Sequence, residues 1–141
     1  MIIKERLPSC IEYKKMCESV GWGEIINFSV AEKSLNNSVS GVVVEDENGN
    51  VIGMGRIVGD GAIYFYIQDI VVSPKHQKKG IGNIMLNNMF EWLNNNAPSQ
   101  SFIGLFATTE AEEFYKKFTL EKRDLIGLFT VKEIIQDQNF T

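Results

Sequence analysis

Apolar and polar positions along this chain switch between two periods. Residues 2 to 7 read as a short edge strand, and Pro8 and Ser9 then open a new element. Ser9 with Glu12 three residues later is a capping-box spacing, and Ile11, Met16 and Val20 follow as the apolar positions of a helix over residues 9 to 20. Gly21-Trp22-Gly23 ends it, and Ser29 with Glu32 repeats the spacing, which predicts a second helix over 29 to 37. The period then falls to two. Residues 41 to 46 (GVVVED) are β-branched, Asn48-Gly49 is a hairpin signal, and 51 to 58 (VIGMGRIV) return as a strand. Gly59-Asp60-Gly61 turns into 62 to 72 (AIYFYIQDIVV), the longest strand-like run and so central to the sheet.

Pro74 stops that strand. From Gly80 onward Ile81, Ile84, Met85, Met89, Trp92 and Leu93 follow the i, i+3, i+4 rule, so an amphipathic helix runs to Asn94-Asn95-Asn96. Its methionine and tryptophan stripe reads as core packing. Residues 102 to 107 predict a strand, 110 to 117 a short helix, and 121 to 133 one or two closing strands. The order β-α-α-β-β-β-α-β-α-β-β implies an α/β (α+β) fold with a mixed, mostly antiparallel central sheet and helices on both faces.

Composition adds boundaries to this picture. The 141 residues, 44% hydrophobic and 23% charged, suit one globular domain over 1–141 that needs no disulfide or structural metal. Cys10 and Cys17 share the first helix, where seven residues rise about 10 Å, beyond the roughly 4.4–6.8 Å Cα separation of a disulfide. Reduced thiols, no membrane-length apolar run and no signal-peptide layout at the start predict a cytoplasmic protein that meets no membrane. A net charge of −4 argues against nucleic acid and suits a cationic small molecule. A lone His with two helical cysteines makes no metal site.

The chemistry concentrates at Asp69 to Asn83, DIVVSPKHQKKGIGN, where a buried strand runs through a Pro-terminated turn into a glycine-containing helix start. Unpaired backbone N–H groups there carry partial positive charge, glycines at 80 and 82 let phosphate oxygens approach, and Lys78 and Lys79 add charge. Neither GxxxxGK[ST] nor GxGxxG occurs, so the spacing points to a pyrophosphate ligand other than a nucleoside triphosphate or dinucleotide, or else to a tight connection with a solvated lysine face.

QKKGIG, preceded by VVSP, resembles the (Arg/Gln)-x-x-Gly-x-(Gly/Ala) signature of the GCN5-related N-acetyltransferases, and the element order resembles that fold nearly end to end. The resemblance implies acetyl-CoA as co-substrate. It assigns the backbones of Ile70, Val71 and Val72 to the pantetheine arm, and Gln77, Lys78, Lys79, Gly80, Ile81, Gly82 and Asn83 to the pyrophosphate. AEEFYKKF, residues 111 to 118, is similar to the family's Ala-x-x-(Phe/Leu)-Tyr-x-Lys motif and implies Tyr115 as the general acid for the leaving thiolate; core packing is its alternative. Thr108 stands where many relatives have Asn and keeps a hydroxyl for the cofactor, while Thr119-Leu120 replaces a Gly-Phe.

The base is less defined. Histone-type relatives carry Glu where Tyr66 stands, and YIQDIVV resembles the IEDVVV strand of glucosamine-phosphate acetyltransferases, with Gln68 in place of Glu and Asp69 kept. Strand alternation sets Tyr64, Tyr66 and Gln68 on one face and Asp69 on the other, unless a bulge resets the parity. Asp69 is therefore a base, a carboxylate for substrate, or a structural acceptor for a backbone N–H, and water relayed by main-chain carbonyls competes for the base's role. Trp22 either roofs an acceptor pocket or anchors the helices. Tyr66 and Gln68 join it as substrate-binding candidates. His76 reads as an exposed turn residue and Asp60 as turn chemistry.

The expected function is direct acetyl transfer from acetyl-CoA to a primary amine of a small molecule such as a polyamine, amino sugar or arylalkylamine. A catalytically silent acyl-CoA-binding module and an acetyltransferase for a protein amine are the alternatives. A homodimer through late strands is an expectation from the family alone.

Overall fold

A computed structural model describes residues 1–132, which fall into two units, Met1–Leu105 and a second beginning at Phe106. In the first unit β1 (Ile2–Lys4), α1 (Cys10–Ser19), α2 (Ala31–Asn36), β2 (Ser40–Glu45), β3 (Val51–Gly59), β4 (Tyr64–Val72), α3 (Ile81–Asn96) and β5 (Phe102–Gly104) follow in order. The five strands form one sheet in sequence order. The first three pairings are antiparallel, and the α3 crossover makes β4 and β5 parallel.

The predicted capping box starts α1: Ser9 Oγ accepts from the Glu12 N–H at 3.2 Å and Glu12 Oε1 accepts from the Ser9 N–H at 2.8 Å. The same carboxylate receives Arg6 Nη1 at 2.9 Å, and that contact holds the Glu12 carboxyl below its usual range. Met16 packs inward as expected, whereas Ile11 is 82% exposed, because α1 turns Tyr13, Met16 and Cys17 to the sheet. The second capping box does not form. Asn27 accepts from the Ser29 N–H at 3.1 Å and starts a 3₁₀ turn over Phe28–Val30, so α2 is only Ala31–Asn36.

Helices cover both faces. On one, Tyr13, Met16, Cys17, Ala31 and Leu35 pack with Val43, Met54 and Val71. On the other, Gly53 and Gly55 let α3 approach: a Cβ at Gly53 would stand 3.0 Å from Met85 Sδ, and one at Gly55 would stand 3.0 Å from Met89 Sδ. Met85 and Leu86 are fully buried there, each contributing about 1.5–3 kcal/mol.

The second unit holds a 3₁₀ turn over Thr109–Ala111 and α4 (Glu112–Lys116). The predicted strand over 102 to 107 shortens to β5, and no strand forms over 121 to 132. The apolar pattern there, Leu125, Ile126, Leu128 and Phe129, is exposed, so alternation without a neighbour to supply ladder bonds made no strand. Residue 133 lies outside the described residues. No helix among the described residues is long and apolar enough to cross a membrane.

Candidate functional site

β4 pairs with β3 from Phe65 to Gln68 and again at Val71 and Val72, but meets β5 only at Tyr64, Phe65 and Tyr66, opposite Phe102, Ile103 and Gly104. From Ile67 to Val72 its second edge has no strand partner among the described residues. Within this stretch the ladder to β3 is interrupted: Met54 opposes Val71 and Arg56 opposes Gln68, so Asp69 and Ile70 together face Gly55. This is a β-bulge, and Asp69 takes φ 56, a left-handed conformation that costs a side-chain-bearing residue about 1–2 kcal/mol.

The bulge resets the strand's parity. Gln68 shares a face with Arg56 by register, and the Asp69 carboxylate reaches the same face, where Oδ2 accepts from Arg56 Nε at 2.7 Å and from Tyr13 Oη at 2.9 Å. Simple alternation, which would put Asp69 opposite Tyr66 and Gln68, fails for that reason. Both Arg56 and Asp69 side chains are 13% exposed. Burial, and then the adjacent Asp69, push the Tyr13 hydroxyl well above the usual tyrosine range, so it stays a donor. Asp69 Oδ2 is thus an acceptor for side chains of α1 and β3.

Beyond β4 the chain folds back on itself. The Ser73 N–H donates to the Ile52 carbonyl at 2.8 Å, Pro74–His76 form a 3₁₀ turn, and Ser73 Oγ lies 2.7 Å from His76 Nδ1. His76 is half-buried in this contact, more enclosed than a free turn residue. Gln77 Nε2 donates to the Val72 carbonyl at 3.0 Å, fastening the loop to the end of β4. Lys78 (φ 63) and Gly80 (φ 82) then turn the backbone left-handed, and Gly80 sits at the N-terminus of α3 with no side-chain cap. A Cβ at Gly80 would meet nothing within 4 Å, so the glycine answers to backbone conformation and open space. Ile81 is buried, Gly82 and Asn83 are half-buried in the first turn of α3, and Lys78 and Lys79 are exposed. Phosphate oxygens and a strand-like amide chain fit such a surface.

Tyr66 and Gln68 are half-buried on the Arg56 face. Phe102 bridges Tyr64 and Tyr66, with ring centroids 6.1 Å apart in both pairs. Trp22 packs against the core of α1 and α2 and accepts from the Ile25 N–H through its carbonyl at 3.1 Å, so it anchors the loop between them. Asp60 Oδ1 accepts three backbone N–H groups, from Tyr64, Ala62 and Ile63, which hold its carboxyl below the usual range.

In the second unit Thr108 is exposed and its carbonyl accepts from the Ala111 N–H at 3.1 Å. Tyr115 is half-buried on α4, edge-on to Phe114 at 5.1 Å, and burial raises its hydroxyl above the usual range. Thr119, standing where the family resemblance puts a glycine, takes φ 64. Sequence reasoning missed Tyr13 and Arg56. A lone arginine inside an apolar strand, VIGMGRIV, was the available signal for Arg56, since a charge in a sheet interior requires a partner.

Comparison with known proteins agrees with this geometry. Residues 37–118 match the family model described as an acetyltransferase (GNAT) domain. An uncharacterized N-acetyltransferase, ycf52, of Pyropia yezoensis is 29% identical over 122 residues, covering 84% of this chain and 69% of the relative. A crystal structure of a probable acetyltransferase of unknown function from Staphylococcus aureus superimposes with a TM-score of 0.83 at 26% identity, covering 92% of this chain and 98% of the other. An aminoglycoside 6'-N-acetyltransferase complexed with coenzyme A shares the fold at a TM-score of 0.58 and 17% identity, over 68% of this chain and 57% of that one. Family match and fold together establish that the chain belongs to the GNAT family of acetyltransferases and is an acyltransferase.

Proposed function

We propose that the protein transfers the acetyl group of acetyl-CoA directly to the primary amine of a small molecule. The observation that carries this reading is the continuity of the unpaired edge of β4, Ile67 to Val72, with the left-handed turn at Gly80 and the uncapped start of α3. A fold neighbour is held with coenzyme A, which supports the choice of cofactor. Bound acetyl-CoA supplies an activated acetyl thioester. The backbones of Ile70, Val71 and Val72 hold the amide groups of the pantetheine arm. The N–H groups of the loop from Gln77 to Asn83, with Lys78 and Lys79, offset the pyrophosphate charge, and Thr108 contributes a hydroxyl to the cofactor.

Tyr115, a phenol protonated at neutral pH and pushed further up by burial, donates to the departing sulfur. The acceptor lies on the Tyr66 and Gln68 face, where the ring row Tyr64, Phe102 and Tyr66 suits the apolar body of a small amine. Water relayed by main-chain carbonyls takes the ammonium proton. Free thiols at Cys10 and Cys17 suit a reducing, cytoplasmic location.

Following thiol release from acetyl-CoA across a panel of polyamines, amino sugars, arylalkylamines and peptides tests the reading. Turnover on a small amine is the expected result. Turnover confined to peptides would refute the small-molecule acceptor, and binding without turnover on any amine would refute direct transfer to an amine.

A further inference from the structure

We propose that Tyr13, Arg56 and Asp69 form a positioning device for acetyl transfer, holding the β4 bulge and thereby the direction in which the N–H and C=O groups of Ile70 to Val72 leave the sheet. This rests on the assignment of that edge to acetyl-CoA. Asp69 occupies φ 56, which a residue with a side chain adopts only under constraint. Returning it to extended backbone would add one residue to the register and turn Val71, now 3% exposed and packed with Tyr13, Met16 and Met54, out of the core.

The constraint comes from the aspartate's own carboxylate. A single oxygen, Oδ2, takes the Tyr13 hydroxyl from α1 and the Arg56 Nε from β3. Arg56 is fixed in turn: Nη1 donates to the Ser34 carbonyl at 3.2 Å and lies 3.1 Å from Ser38 Oγ, and the guanidinium stands 5.6 Å from the Tyr13 ring centroid. Three segments thus meet at one atom, α1, β3 and the bulge, and Arg56 ties the end of α2 to them. Gly55 completes the arrangement, because a Cβ there would stand 2.6 Å from Ile70 Cδ1, the side chain that the bulge sends to the α3 face. Asp69 acts through the backbone it holds, and touches neither acyl group nor amine.

The test compares Asp69→Ala with Asp69→Gly by calorimetric titration of acetyl-CoA, with kcat and Tm measured alongside. Both variants lose the ion pair and both lower Tm. Alanine at φ 56 is strained and releases the bulge, so acetyl-CoA affinity and kcat each fall about tenfold. Glycine adopts φ 56 freely, so it restores affinity to within about threefold of the unaltered protein and recovers kcat with it. Tyr13→Phe removes one donor, leaves the ion pair, and gives a graded loss of about threefold in affinity; it carries the test if the alanine variant does not fold. Normal acetyl-CoA binding without turnover in both Asp69 variants would make Asp69 a direct participant and overturn the proposal. Lowered Tm with unchanged affinity and kcat, or an unchanged affinity in folded Tyr13→Phe, would overturn it as well. Failure of the unaltered protein to bind acetyl-CoA would instead remove the underlying reading, and appears before any substitution is made.

Discussion

The two halves of β4 are continuous in sequence and opposite in construction. Phe65 and Tyr66 are held by strands on both sides, with Phe65 buried against Trp92 at a ring distance of 6.4 Å. Gln68 to Val72 keep one strand partner, contain a left-handed residue, and rely on an ion pair for support. The first half shows what a sheet does when it only has to be stable: Phe65 and Tyr66 are paired on both edges and Phe65 is buried. The second half leaves one edge without a strand partner among the described residues, and side chains from three other segments compensate for the lost ladder.

Substitutions that separate the halves should differ in kind. The largest effect is expected at Gly80→Val, since a β-branched residue at φ 82 is excluded from the loop conformation; acetyl-CoA affinity should fall by about two orders of magnitude or more in calorimetry while the far-ultraviolet spectrum stays unchanged. Tyr115→Phe should lower kcat by about a hundredfold with cofactor affinity nearly constant, and an unchanged kcat would remove the tyrosine from the reaction. Met85→Ala, on the face that α3 covers, should cost about 2–5 kcal/mol in denaturant unfolding and leave acetyl-CoA affinity per folded molecule intact. The smallest effect belongs to Glu12, whose folded pKa is depressed first by Arg6. Its contribution to stability is present above the unfolded pKa and is lost as pH falls through the folded one. Glu12→Gln should therefore lower Tm slightly at pH 7, and the difference from the unaltered protein should shrink below about pH 4.

Local signals in the sequence were reliable where the structure is local. Ser9 and Glu12 form their capping box, Gly49 takes φ 81 in the predicted hairpin, and Ile81, Met85, Met89 and Leu93 of the predicted stripe lie on the buried side of α3, while Ile84 is 46% exposed. The glycine loop was legible because a left-handed turn at a helix start requires glycine. Readings failed where a distant partner decides. Ser29 lost its cap to Asn27, and the apolar run over 121 to 132 found no strand to pair with. Asp69 could not be assigned from YIQDIVV, because its hydrogen-bond partners lie 13 and 56 residues away, and a bulge changes the face of a residue without altering the apolar pattern around it.

Backbone amide chemical shifts during an acetyl-CoA titration test the central claim most directly, since they report on each residue of β4 and the loop at once. Perturbations should concentrate at Ile70, Val71 and Val72 and at Gln77 to Asn83, with Tyr64 to Tyr66 nearly still. Saturable binding that leaves both segments unperturbed and shifts resonances elsewhere would contradict the account.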